Sequence, residues 1–333
     1  LKTENSPSFK HLLYLQKKIM LEALQAMDSA KLDFSTGGLI VLNITIAIIM
    51  FGVALEIKLS HFKELFKKPK PVIIGVISQF LLLPFLTFAL IMAFWNNITV
   101  GVAMGMILVA SCPGGNVSNF ISSLSKGNAA LSVSLTAIAT ISAVVMTPLN
   151  FYIWGKAYET LGPWANNPLL QELSINPIDM FKTVLILLGL PILLGMLTNH
   201  FLPKLTSKIT KPIKIFSIIF FMGMVVIMFA NNYDHFVKYI AWVLLIVFIH
   251  NAIAISSGYG FAKLFKLNFQ NSKTISIETG IQNSGLGLVL LFNPKIFPQE
   301  LALGGMMIVV AWWGIWHILA GLSIASIWRR KSN

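Results

Sequence analysis

The chain has 333 residues, of which 56% are hydrophobic and 11% charged, and its mean hydropathy is +0.77. A soluble domain carries roughly 25% charged residues, so this composition excludes an ordinary soluble enzyme and indicates an all-α polytopic membrane protein. The net charge of +13 does not argue for nucleic acid, because the basic residues fall between apolar runs as positive-inside loops do. Cys112 is the single cysteine, which excludes a disulfide framework within one chain.

Residues 1–37 come first and carry no long apolar run. They lack the apolar core and small-residue cleavage site of a signal peptide. Leu12, Leu13, Leu15, Ile19, Met20, Leu24 and Met27 form an imperfect helical stripe between charged residues, which predicts an interfacial amphipathic helix outside the cytoplasm.

Nine apolar segments follow, near 38–57, 71–95, 100–124, 129–154, 180–200, 213–231, 239–262, 274–293 and 301–327. Each is long enough to cross roughly 30 Å of hydrocarbon. The connections after the first, third, fifth, seventh and ninth carry sixteen basic residues, among them Lys214 and Lys273. The opposite side carries Lys156, Lys182, Lys238 and Lys295, with acidic residues beside them. The asymmetry places the C-terminus in the cytoplasm and the N-terminus outside a cell (inner) membrane.

A polar loop, 155–179, holds Pro163, Pro168 and Pro177. It separates a first repeat of four spans (38–154) from a second of five (180–328). The penultimate span of each half is interrupted by helix-breaking polar residues: VASCPGGNVSNFISSL at 109–124 and SIETGIQNSGLGLVLLF at 276–292. The two broken spans run in opposite directions. That pattern predicts an inverted-topology repeat lacking the first helix of its first half. Such breaks mark a transporter's binding site, because helix-free backbone is tolerated at membrane depth only inside protein or along a cavity.

Glu278 is the only acidic residue deep in a span. A carboxylate there is costly and functional by default, and with no Lys or Arg expected at its depth, a cation is its partner. Oxygen donors gather nearby. Ser118 and Asn119 lie at the first break, and Gln282 and Asn283 at the second. Ser132 and Thr136, four apart, share a helix face, and Gln79 lies one turn before Pro84. Neutral oxygens around one carboxylate suit a small, hard, monovalent cation. Ser122, Ser123, Ser142 and Thr147 fit ordinary helix-packing hydroxyls, and Cys112 a small packing residue. His317, in AWWGIWHILAG, and His250–Asn251 fit either a packing or a site role.

SCPGGNVSN followed by KGNAALSVSLT (111–136), ETGIQNSGL (278–286), IIMFGVALEIKLSHF (48–62) and SQFLLLP (78–84) resemble the bile acid:sodium symporter family. The resemblance runs from about 38 to 328. It implies a panel domain of the first, fifth and sixth spans and a core domain of the others, with the two discontinuous helices crossing at midplane. It implies uptake of an organic anion, bile acid-like or smaller, coupled to Na+ at two sites. One site would use Ser118, Asn119, Ser132, Thr136 and Glu278. The other would use Gln79, Glu278 and Gln282 with the carbonyls of Thr279 and Ile281. The substrate cleft would lie near Asn116, Asn283 and His317. With nine helices rather than ten, the chain is similar to the animal carriers.

Three other readings compete with a sodium symporter. A proton-coupled or uncoupled carrier keeps the fold without the ion sites. A metalloid efflux carrier wants a thiol in the pathway, for which Cys112 is the candidate. A non-transporting sensor is the third. A sodium/proton antiporter would need more buried carboxylates than Glu278 supplies, and no nucleophile–base pair near Glu278 suggests an enzyme.

Overall fold

The structure, a computed structural model, describes residues 36–58, 67–162, 170, 177–231, 233–293, 296–298 and 301–330, with scattered residues from His11 to Asp28. In chain order the helices are α1 (Thr36–Ala54), α2 (Pro69–Ala93), α3 (Val100–Ser111), α4 (Val117–Leu124), α5 (Ala129–Leu161), α6 (Pro177–Val184 and Leu190–Phe201), α7 (Pro203–Asn231), α8 (Tyr233–Leu264), α9 (Phe269–Gly280), α10 (Ser284–Leu291) and α11 (Gly304–Arg330). Among the described residues, four helices are long and apolar enough to cross a membrane: α2, α5, the Trp242–Leu264 part of α8, and α11. The other expected spans are helical too, two of them as broken pairs, α3–α4 and α9–α10.

Prolines set the irregularities, and side chains repair them. Pro84 has no N–H to offer the carbonyl of Phe80, four residues back. The helix widens there into a π turn over Ser78–Leu82, and Asn150 Nδ2 from α5 donates to the Phe80 carbonyl at 3.0 Å. In α6, a π turn over Leu185–Gly189 precedes Pro191 in the same way. Two tight turns share one design. Lys126 and Lys266 each adopt a left-handed φ of 56°, closing the helix before them. Asn128 and Asn268 then cap the next helix, accepting from Leu131 N–H at 3.1 Å and Asn271 N–H at 2.8 Å.

α1 packs against α6 and α7, while α11 packs against α3, α8 and α10. In lipid, small residues at helix contacts replace the hydrophobic drive that operates in water. Gly105 does this between α3 and α11: a Cβ there would stand 2.9 Å from Met306 Cα. The principal core buries Met106, Leu108, Leu290, Val309 and Trp313.

Four sequence readings change in detail. Helix α5 continues to Leu161, into the expected loop. Lys273 is not a loop charge: it lies within α9, fully buried, and its Nζ donates to the Ser125 carbonyl at the end of α4, 2.6 Å away. Lys214 lies within α7, not in the connection before it. In the N-terminal segment the described residues are helical, and Leu24 is fully buried in the principal core. The rest of the predicted stripe, except the exposed Leu15, lies outside the described residues. Asp28 accepts from Gly101 N–H at 3.0 Å, at the first turn of α3, and stands against Gly305 at the first turn of α11. Burial raises its carboxyl from 3.8 to about 6.

Candidate functional site

The two helix breaks solve each other's problem. Backbone freed from a helix needs partners, and here each break supplies them to the other. Gly115 N–H donates to the Ile281 carbonyl at 2.8 Å, and Asn283 N–H donates to the Pro113 carbonyl at 2.8 Å. Gly114 and Gln282 form an antiparallel bridge. The pairs are built alike: a twelve-residue helix enters, and an eight-residue helix leaves. The N-termini of α4 and α10 therefore both start at the crossover, with their positive dipole ends. Asn251 Nδ2, from α8, donates to the freed Gly280 carbonyl at 2.7 Å. Gly114 has to be glycine, because a Cβ would stand 2.5 Å from Gln79 Nε2 and 3.0 Å from Glu278 Oε2.

Glu278 is fully buried in the last turn of α9. Ser118, from α4, donates to Oε1 at 2.6 Å. Ser132, from α5, also donates to Oε1, and Thr136, one turn on, donates to Oε2 at 3.1 Å. Thr136 Oγ1 also lies 3.2 Å from Asn119 Oδ1. All five residues of the first expected ion set thus meet, drawn from three helices. Each hydroxyl that donates to the carboxylate keeps oxygen lone pairs of its own, so the cluster is rich in acceptors.

The second set meets at the backbone of the same turn. Gln79 Nε2 donates to the Glu278 carbonyl at 3.0 Å, and Gln282 Nε2 donates to the Thr279 carbonyl at 2.7 Å. Those acceptors fix which end of each amide is nitrogen. The Oε1 atoms of Gln79 and Gln282 are then buried without a donor. A buried acceptor left unpaired is costly, and two at one site are what a hard cation would satisfy. The carbonyls of Thr279 and Ile281 each accept one hydrogen bond here and keep a second lone pair. Ser78 Oγ lies 2.8 Å from Thr279 Oγ1 and holds that turn in place. Ser78 escapes sequence reasoning because its partner lies 201 residues further along the chain, while Asn251, open between a packing and a site role in the sequence, here bonds the freed Gly280 carbonyl.

A cavity of about 240 Å³ opens beside the crossover. Asn116, Asn283 and His317 all line it, together with Glu56 and Lys214. Asn283 Oδ1 caps α10 by accepting from Leu286 N–H at 3.0 Å, which leaves its NH2 group as the donor for the cleft. Cys112 is fully buried and does not line the cavity.

Comparison with known proteins gives the family. The sequence profile of the Sodium Bile acid symporter family matches residues 43–239. The uncharacterized sodium-dependent transporter YocS of Bacillus subtilis is 33% identical over 294 residues, covering 87% of this chain and 83% of that one. The probable chloroplastic sodium/metabolite cotransporter BASS1 of Arabidopsis thaliana is 28% identical over 290 residues, 86% of this chain and 66% of that one. Human sodium/bile acid cotransporter 4 is 29% identical over 248 residues, 74% of this chain and 54% of that one. The chain is a multi-pass membrane protein and belongs to the Sodium Bile acid symporter family, a family of sodium-dependent transporters.

Proposed function

We propose that the protein is a secondary-active symporter that imports an organic anion with Na+ by alternating access. The observation that carries this reading is the crossover. One buried carboxylate, three hydroxyls, two unpaired amide oxygens and the N-termini of two half-helices converge there. One ion site is Ser118, Asn119, Ser132, Thr136 and Glu278. The other is Gln79, Glu278 and Gln282 with the Thr279 and Ile281 carbonyls. Two monovalent cations against one carboxylate leave +1 near midplane, which favours an anion in the adjoining cleft of Asn116, Asn283 and His317. The substrate is a carboxylate or sulfonate, and each cycle with a monovalent anion carries a net +1 inward.

In this reading nine spans cross the membrane, with the N-terminus outside and the C-terminus in the cytoplasm. The panel is α1, α6 and α7, and the core is the remaining helices. The repeat boundaries are 38–154 and 180–328, joined by 155–179. The contacts of α1 with α6 and α7 support the panel, and the matched arm lengths of the two broken helices support the repeat.

The test is thermal unfolding of the purified protein in NaCl against KCl at equal ionic strength. A ligand bound only by the folded state raises stability by mass action. Sodium should raise the transition temperature, and a carboxylate or sulfonate should raise it further only in sodium. Equal stability in both salts would reject sodium coupling.

A further inference from the structure

The cleft contains one charge pair that the ion sites do not use. Lys214 Nζ, from α7, stands 3.0 Å from Glu56 Oε1, just beyond the end of α1. The other oxygen of the same carboxylate, Oε2, accepts from Asn116 Nδ2 at 3.3 Å. Among the described residues, Glu56 and Lys214 are, apart from His317, the only ionisable ones lining the cavity. We infer that Lys214 is the charged anchor for the substrate's anionic group, and that the Glu56 carboxylate holds its place until the anion displaces it. The inference rests on the symport reading above and names the residues that would set its preference for anions.

The geometry argues for exchange. Glu56 presents its two oxygens to an ammonium and an amide N–H, which is how a bound carboxylate or sulfonate would be held. Asn283 and His317 border the same cavity, so an anion on these donors would also adjoin the crossover. The pair is not a sealed structural bridge. The side chains of Lys214 and Glu56 are 57% and 37% exposed, and ion pairs so open to solvent are weak. A competing anion, held also by Asn116 and the field of the crossover, can replace Glu56 without leaving a buried charge behind. Replacement would also release the bond between Asn116 and Glu56 at α1's end, freeing the cleft wall as substrate arrives.

The two residues then have opposite effects, which a merely structural pair would not. The experiment titrates acetate, pyruvate, ethanesulfonate and taurocholate by thermal shift in NaCl, and follows the tightest of them. Against the parent, Lys214→Gln should weaken that acid about tenfold, as loss of a charge-assisted bond does, and Lys214→Arg should restore most of it. Glu56→Gln should tighten the acid severalfold, since the competitor is gone. Sodium affinity measured without acid should be unchanged in all three. Unchanged affinity in Lys214→Gln would overturn the anchor, and unchanged or weaker binding in Glu56→Gln would overturn the competition. If sodium stabilises the parent and none of the acids does, the anion reading itself falls, an outcome separate from failure at Lys214.

Discussion

Glu278 accepts from Ser118, Ser132 and Thr136, so its charge and its neighbours' oxygens can be tested apart. Glu278→Gln keeps the shape and removes the charge, and it should abolish stabilisation by sodium while the protein still folds. Ser132→Ala removes one neutral oxygen. At about 1 kcal/mol for such a contact it should raise the half-saturating sodium concentration roughly fivefold, without abolishing binding. Thermal-shift titration reads both. If Glu278→Gln responded to sodium like the parent, the ion would bind elsewhere. At this scale the sequence was informative wherever depth alone signalled function. A carboxylate inside an apolar span stands out, and Ser132 and Thr136 share a face by spacing. It was uninformative for Lys273 and Lys214. Sign counting assigns both to loops, because where a long side chain lies along a helix depends on tertiary partners: the Ser125 carbonyl for one, and Glu56 for the other.

Among the elements, the irregular ones are held by distant side chains. Asn150→Ala would leave the Phe80 carbonyl without the bond that stands in for Pro84's missing N–H. Leaving a buried acceptor unpaired should cost about 1–3 kcal/mol, read as a lower unfolding temperature of the detergent-purified protein. The sequence showed Pro84 but not its repair, since Asn150 lies 70 residues further along the chain. The breaks themselves were legible from Gly, Pro and Asn inside apolar runs. Their mutual pairing was not, because Gly115 and Ile281 are far apart in sequence. Asp28 ties the N-terminal segment to the first turns of α3 and α11, and burial raises its carboxyl from 3.8 to about 6. The folded state therefore holds the proton more tightly than the unfolded chain between those values. Asp28's contribution to stability is greatest below pH 3.8 and is lost as pH rises through about 6. Asp28→Asn should remove that component. From pH 4 to 7 its unfolding temperature should fall less than the parent's, and parallel curves would show that Asp28 is not buried as described.

For the whole molecule, the charge asymmetry of the sequence predicts one orientation. A cysteine placed near residue 331 should be shielded from an impermeant thiol reagent applied outside intact cells, and one near residue 156 should react. Labelling at 331 would invert the topology. The composition and the two breaks were enough to read a polytopic transporter. The grouping of α1 with α6 and α7 came only from the family resemblance, because their packing depends on contacts that no local pattern encodes. The claim on which the rest depends is that sodium and an anion move together with net positive charge. Its most direct test is uptake into proteoliposomes of the acid that best stabilises the protein, under an imposed potassium diffusion potential. A negative interior supplies about 2.3 kcal/mol per charge per 100 mV. Uptake should require external sodium and rise as the interior is made more negative. Uptake that proceeds equally in potassium, or that ignores the voltage, would contradict it.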